Sequence, residues 1–328
     1  MNRQPIIPHP AFVRARDALV RALDTDQRGQ IIFVIGLSGS GKSEIRYEAM
    51  QAFAGALDQW PDGQMPAIAL RAAPTDRSRF SPKEFMTRFY LELHEPDLRW
   101  LTGRNVINDP DLVHRRADAR LSDAFWIDMR RRTTEHQLRT YVERMIPARG
   151  VRGVFVEEAA SLTYTHTSKD PENHMVNYMC LAEEIGITLV LFGVPRAAKL
   201  WEGNAEILRR SRFVYVERYR LKNAEDCVNF ERLAVSLAQR FTFSRRNLLR
   251  RNFDLAYVSS AGVCGELKSY LLRADDLRAS DGAESITLVH LEGAVQPEAV
   301  LKTLHADAVE FDVLRTPANS STIKRILK

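Results

Sequence analysis

Few cysteines, few lysines and no long apolar run mark this 328-residue chain, and each shortage excludes something. The three cysteines, Cys180, Cys227 and Cys264, lie far apart. They form neither a disulfide framework nor a zinc-binding spacing. No apolar run nears the roughly 20 residues that span a bilayer. The first ten residues, MNRQPIIPHP, lack the apolar core of a secretory signal. Together these absences lead to the expectation of a cytoplasmic protein with no membrane partner. Lysine is sparse, with 9 residues against 38 arginines. A high-GC genome enriches arginine, but arginine also binds phosphate bidentately. The net charge of +5 favours an anionic partner, nucleic acid above all. Hydrophobic residues make up 45%, enough for a full core in two domains or one large one.

One stretch organises the chain: Ile31–Ser43, IIFVIGLSGSGKS. Five apolar residues ending at a glycine read as a buried parallel strand. Gly36, Leu37, Ser38, Gly39, Ser40, Gly41, Lys42 and Ser43 then match the phosphate-loop pattern G-x-x-x-x-G-K-[ST]. Glycines let backbone N–H groups curl around phosphate oxygens without Cβ clashes. Lys42 can reach the β- and γ-phosphates of ATP, and the Ser43 hydroxyl can sit on Mg2+. A helix is expected next, with Ile45, Ala49, Phe53 and Leu57 recurring every four residues.

Such a loop needs a carboxylate on a neighbouring strand. Val154–Val156 is a short apolar strand running into Glu157 and Glu158. Carboxylates at the end of a buried strand are costly unless they act. Glu157 is the candidate for the Mg2+ shell through water, and Glu158 for polarising the attacking water. Asp is the more usual first carboxylate, so the longer Glu157 bears on the metal. Near the last expected core strand, Phe213–Val216, stand Arg209, Arg210 and Arg212. An arginine there is placed to reach a neighbouring subunit's nucleotide and stabilise charge on the transferred phosphoryl group. Arg212 is the first choice, with Arg210 and Arg209 behind it.

Between these motifs, strands alternate with helices: strands at Ala67–Leu70 and Ile187–Phe192, helices at Ala11–Leu23, Lys83–Leu93, Phe125–Met145, Val176–Ile185 and Glu202–Arg210. The pattern predicts an α/β fold, a parallel sheet sandwiched by helices. Tyr164–Asn173 reads as a polar loop. After Tyr219 only helices are expected, at Ala224–Phe241, Leu248–Val258, Gly265–Leu277 and from Leu288. The resulting layout is an N-terminal extension and helix (1–30), an ATPase core (31–218), a helical lid (219–310) and a loose basic tail (311–328).

The order of parts resembles the AAA+ ATPases, and within them the TniB/TnsC group of transposition regulators. The residues that carry the likeness are His9-Pro10, Gly36–Ser43, Ala67–Pro74, Glu157-Glu158, Phe192–Pro195, Arg212-Phe213 and Gly262–Leu271. The chain departs from that pattern at Glu157 and at Val194, where related ATPases place a polar residue that senses the γ-phosphate. The resemblance implies a homo-oligomeric ring or helical filament on double-stranded DNA. It implies ATP between subunits and partnership with a transposase and a target-selector protein. Arg71, Arg77, Arg79 and Lys83, then Arg130, Arg131 and Arg132, become the candidates for DNA phosphate contact, and Lys268 for the nucleotide. Two other readings stay open: a helicase-loader-like or recombination ATPase, and a nucleotide-dependent scaffold that does not hydrolyse.

Overall fold

The computed structural model describes residues 7–25, 29–73, 79–98, 100–101, 133–164 and 170–327. Arg77, Arg130, Arg131, Arg132 and the first part of the helix expected from Phe125 lie outside them.

β1 (Ile31–Gly36) is buried at every position, as its unbroken apolar run requires. β2 (Ala67–Arg71), β3 (Gly153–Glu157), β4 (Thr188–Gly193) and β5 (Ser211–Val216) complete one sheet in the order β2-β3-β4-β1-β5. β2 with β3, β3 with β4, and β4 with β1 all pair in parallel. The carboxyl ends of β1, β3 and β4 therefore open on the same edge, where ligands bind in open α/β sheets. α1 (Pro10–Leu23), α2 (Lys42–Ala54), α3 (Pro82–His94), α4 (Glu135–Ala148), α5 (Pro171–Ile185) and α6 (Ala205–Arg210) connect and flank the strands.

Several expectations change on physical grounds. α2 ends at Ala54 because Gly55 turns at φ +72, which leaves Leu57 in a separate 3-10 turn. Pro171 opens α5 instead of sitting in a loop; its fixed φ and missing N–H suit the first helical position. α6 starts only at Ala205, where the Asn204 side chain accepts from the Glu206 and Ile207 amides. Arg212 lies inside β5, not before it.

The chain packs as two compact units. One holds Arg14–Ile35 and Lys42–Val214, and so most of the sheet. Its interior stacks Phe33 between Trp201, at 4.5 Å between ring centres, and Phe213, at 5.5 Å. The other holds the segment ending at Val13, the turn Gly36–Gly41 and everything from Tyr215 onward. Its helices are α7 (Ala224–Ala238), α8 (Leu248–Arg251), α9 (Phe253–Val258), α10 (Cys264–Ser280), α11 (Leu288–Gly293), α12 (Glu298–Arg315) and α13 (Ser320–Ile326). The expected helix Leu248–Val258 is thus two, broken at Asn252, and the tail read as loose carries α13. Tyr219, Phe230, Leu267, Tyr270 and Leu271 form its core. Gly262 is required there. At φ +77, a Cβ would stand 2.0 Å from the Tyr219 carbonyl oxygen.

Candidate nucleotide site

The phosphate loop has the form its glycines predict. Gly39 and Gly41 hold φ of +71 and +91, a left-handed region that L side chains avoid. The Ser40 amide donates to the Leu37 carbonyl at 3.2 Å and tightens the turn. Among the described residues, the amides of Ser38, Gly39 and Gly41 donate to nothing. The buried Ser40 hydroxyl likewise has no partner among the described residues. These idle donors stand at the start of α2, where the helix dipole favours an anion. Such a loop fits a nucleotide's phosphate chain. Lys42 opens α2. Burial strips water from its ammonium and lowers its pKa to about 8, opposed by the nearby Glu158 carboxylate. Ser43 is exposed, and its hydroxyl makes no hydrogen bond among the described residues.

The two carboxylates are in unlike surroundings. Glu157 ends β3 and accepts an ion pair from Arg46, Nε to Oε1 at 3.0 Å. Arg46 is one helical turn beyond Lys42, only 7% exposed, with its guanidinium 4.3 Å from the Tyr47 ring centre. Sequence reading missed Arg46. The signal was its place between Ile45 and Ala49 on the inner side of α2, since a buried cation needs a counter-ion. Glu158, the next residue, is left-handed at φ 58 and ψ 38. Its side chain is 56% exposed, with Arg71 of β2 at 3.6 Å. A non-glycine residue is uncommon in that region. Among the described residues no three His, Cys, Asp or Glu side chains could hold a metal by themselves. Ser43 and Glu157 could hold Mg2+ only together with a nucleotide's phosphates; Arg46 engages one Glu157 oxygen and leaves the other for a metal-bound water.

Val194 follows β4 and offers no polar group; Arg196, two residues on, donates to the Tyr164 hydroxyl at 2.9 Å. Of the three arginines near β5, Arg210 pairs with Glu183 and Glu206. Arg212 donates from Nε to the Gln30 amide oxygen at 2.7 Å, with that amide turned to face it. The Arg209 side chain is exposed and has no hydrogen bond or ion pair among the described residues. Arg71, Arg79 and Lys83 are all exposed. Lys83 stands in the first turn of α3, where the dipole disfavours a cation.

In the helical unit, the Gly265 amide at the start of α10 donates to the Gly39 carbonyl at 2.9 Å. A Cβ on Gly265 would lie 2.5 Å from that oxygen, so only glycine permits the approach. Phe12 faces Gly41, and His9 Nδ1 lies 2.9 Å from the Tyr219 hydroxyl. The loop is therefore packed between the start of α1 and the start of α10. Lys268 sits one turn further along α10, half-buried.

Solved structures share this fold. The Aeropyrum pernix ORC1 protein in complex with DNA matches with a TM-score of 0.56 at 12% identity, over 88% of this chain and 65% of that one. The Aeropyrum pernix ORC2 protein in its ADPNP-ADP complexes matches at 0.52 and 11%, over 99% and 87%. Drosophila ORC bound to DNA matches at 0.50 and 12%, over 100% and 86%. No curated protein matches the sequence significantly. A family model described as "AAA domain" matches residues 25–201, more than half of the chain, and with the five-stranded parallel sheet and its phosphate loop this shows that the chain belongs to the AAA-domain family.

Proposed function

We propose that this chain is an ATP-dependent, DNA-bound regulator of transposition. It assembles as a homo-oligomer on double-stranded DNA and links a target-selector protein to a transposase. One observation carries the nucleotide chemistry: a desolvated Lys42 ammonium faces Glu158 and directly follows amides that donate to nothing. In this reading the amides of Ser38, Gly39 and Gly41 and the ammonium of Lys42 bind the phosphate chain. Ser43 and, through water, Glu157 hold Mg2+, whose charge would offset that of the phosphates. Glu158 orients and polarises the attacking water. An arginine among Arg209, Arg210 and Arg212 completes the site from the next subunit.

Support for DNA comes from the basic balance and from exposed Arg71, Arg79 and Lys83. The names of the ORC structures add that those proteins are bound to DNA. Support for transposition comes from the TniB/TnsC resemblance of the motifs. A second reading, a helicase-loader-like or recombination ATPase, has the same fold, and the ORC matches support that fold alone. Both readings share ATP-dependent assembly on DNA and differ in the protein that follows. The test is electron microscopy of the chain with a non-hydrolysable ATP analogue and duplex DNA. Rings or filaments that need both ligands are expected. A chain that stays dispersed with both present overturns the reading.

A further inference from the structure

The helical unit carries an apolar groove and an apolar ridge whose flanking charges are opposite in sign. The groove, of about 490 Å3, is lined by Val235 of α7, by Phe241 and Phe243 after it, and by Phe253 of α9. Arg246 and Arg250 border it, and Arg245 and Arg251 adjoin them in sequence; all four are exposed. Arg250 is offset by Glu231. Arg245, Arg246 and Arg251 have no ion pair among the described residues.

The ridge lies on α12. Ala308 and Phe311 bury its inner side, while Val309 and Val313 are 59% and 71% exposed. Two valines four residues apart share one helix face. Glu310 flanks the stripe and is exposed and unpaired among the described residues. α12 cannot roll this face onto its own groove. Arg218 to Asp312 at 2.6 Å, and Arg315 to Glu217, pin it from the other side.

We propose that the Val309–Val313 stripe of one copy seats in the Val235–Phe253 groove of a second copy, with Glu310 against Arg246 and its neighbours. This is helix-in-groove recognition between unlike surfaces of identical chains. Groove and ridge are different surfaces, so the contact is heterologous, and a heterologous contact closes into a ring or runs on as a filament. It goes beyond the nucleotide site shared between subunits and does not depend on it.

The test uses the full chain carrying Lys42→Ala, without nucleotide or DNA, so that the nucleotide junction is silent. Sedimentation velocity over a wide concentration range should show association. Arg246→Glu and Glu310→Arg should each weaken it about tenfold or more, because each sets like charges together. The two reversals combined should restore it. A photo-cross-linking residue at position 309, in a mixture of isotopically distinct copies, should mark residues 235–253 of the other copy. A chain that stays monomeric at every concentration overturns the proposal. So do single reversals that change nothing, a double reversal that fails to recover association, or cross-links that fall elsewhere. Loss of this contact leaves nucleotide-dependent assembly on DNA to be judged by its own test.

Discussion

Arg46 Nε lies 3.0 Å from Glu157 Oε1, so a cation from the helix that begins at Lys42 holds the first carboxylate of the site. The two partners are unequally buried, Arg46 at 7% and Glu157 at 27% exposure. Removing the carboxylate strands a buried guanidinium, whereas removing the guanidinium leaves a carboxylate that water still reaches. Glu157→Gln should therefore destabilise the fold by about 2–4 kcal/mol and Arg46→Met by about 1–2 kcal/mol. The double variant should lose less than the two losses added together. Urea denaturation of the four proteins gives the cycle; strict additivity would mean that the pair does not hold in solution.

Glu158 offers a separation of stability from activity. Its left-handed backbone, φ 58, costs an ordinary residue roughly 1–2 kcal/mol, and glycine avoids that strain while losing more chain entropy on folding. Glu158→Gly should raise stability by up to about 1 kcal/mol and abolish ATP hydrolysis. Glu158→Gln should abolish hydrolysis with stability unchanged. Thermal unfolding beside a phosphate-release assay reads both. A glycine variant that melts earlier would show that Glu158 side-chain contacts, not catalysis, fix the conformation.

The lowered pKa of Lys42, about 8, sets a pH signature. Unfolded lysine titrates near 10.4, so between about pH 8 and that value the folded protein binds fewer protons. The contribution of Lys42 to stability is therefore least below pH 8 and rises with pH through that window. Phosphate binding has the opposite sense, because the charged ammonium is the form that binds. ATP affinity should fall as pH rises above about 8, approaching tenfold per unit, and binding there should take up a proton. Calorimetry in buffers of different ionisation enthalpy detects that proton. A flat affinity from pH 7 to 10 would place Lys42 away from the phosphates.

The sheet and the phosphate loop were legible because their signals are local. An unbroken apolar run before Gly36 fits only a strand buried on both faces, and Gly39 and Gly41 mark turns that other residues resist. Glu157 and Glu158 were legible as a pair but not in their environments. The partner that separates them, Arg46, comes from an element more than a hundred residues earlier. Arg212 was expected to precede β5, yet Ser211 and Arg212 extend the strand; the tertiary pairing next to β1 overrides a polar, helix-like run. The break at Asn252 carries no glycine or proline, so periodicity ran through it.

Backbone contact with DNA has its own signature. Binding should weaken steeply as salt rises, through release of counterions from neutralised phosphates. Removing charge at Arg71, Arg79 or Lys83 should weaken binding on all sequences alike and reduce the salt slope by about one per lysine or arginine. Lys83 is the sharpest of these tests, since its cation opposes the α3 dipole. Lys83→Gln should therefore stabilise the fold slightly while weakening DNA binding, as thermal melts and fluorescence anisotropy at several salt concentrations would show. Loss of binding on some sequences only would count against phosphate contact.

The last prediction concerns which arginine acts across a subunit junction. A group that must reach another chain's nucleotide cannot also be held firmly at home. Arg210 is held by Glu183 and Glu206, and Arg212 by Gln30, while Arg209 is exposed with no partner among the described residues. Arg209→Ala should therefore lower hydrolysis most and leave nucleotide binding intact. Arg210→Ala and Arg212→Ala should act more weakly on turnover and mainly reduce stability around α6 and β5. Arginine fingers are worth roughly 10³–10⁵ in rate in phosphoryl transfer, and a slow switch needs less. Mixing inactive Lys42→Ala with Arg209→Ala should restore part of the activity, because one class of junction then joins an intact loop to an intact arginine. Arg210→Ala and Arg212→Ala go through the same mixture with Lys42→Ala. Recovery confined to the Arg212 mixture would mean that Gln30 releases its partner on assembly. If no single variant lowers turnover and no mixture regains it, the site belongs to one chain, and a monomeric nucleotide switch becomes the better account.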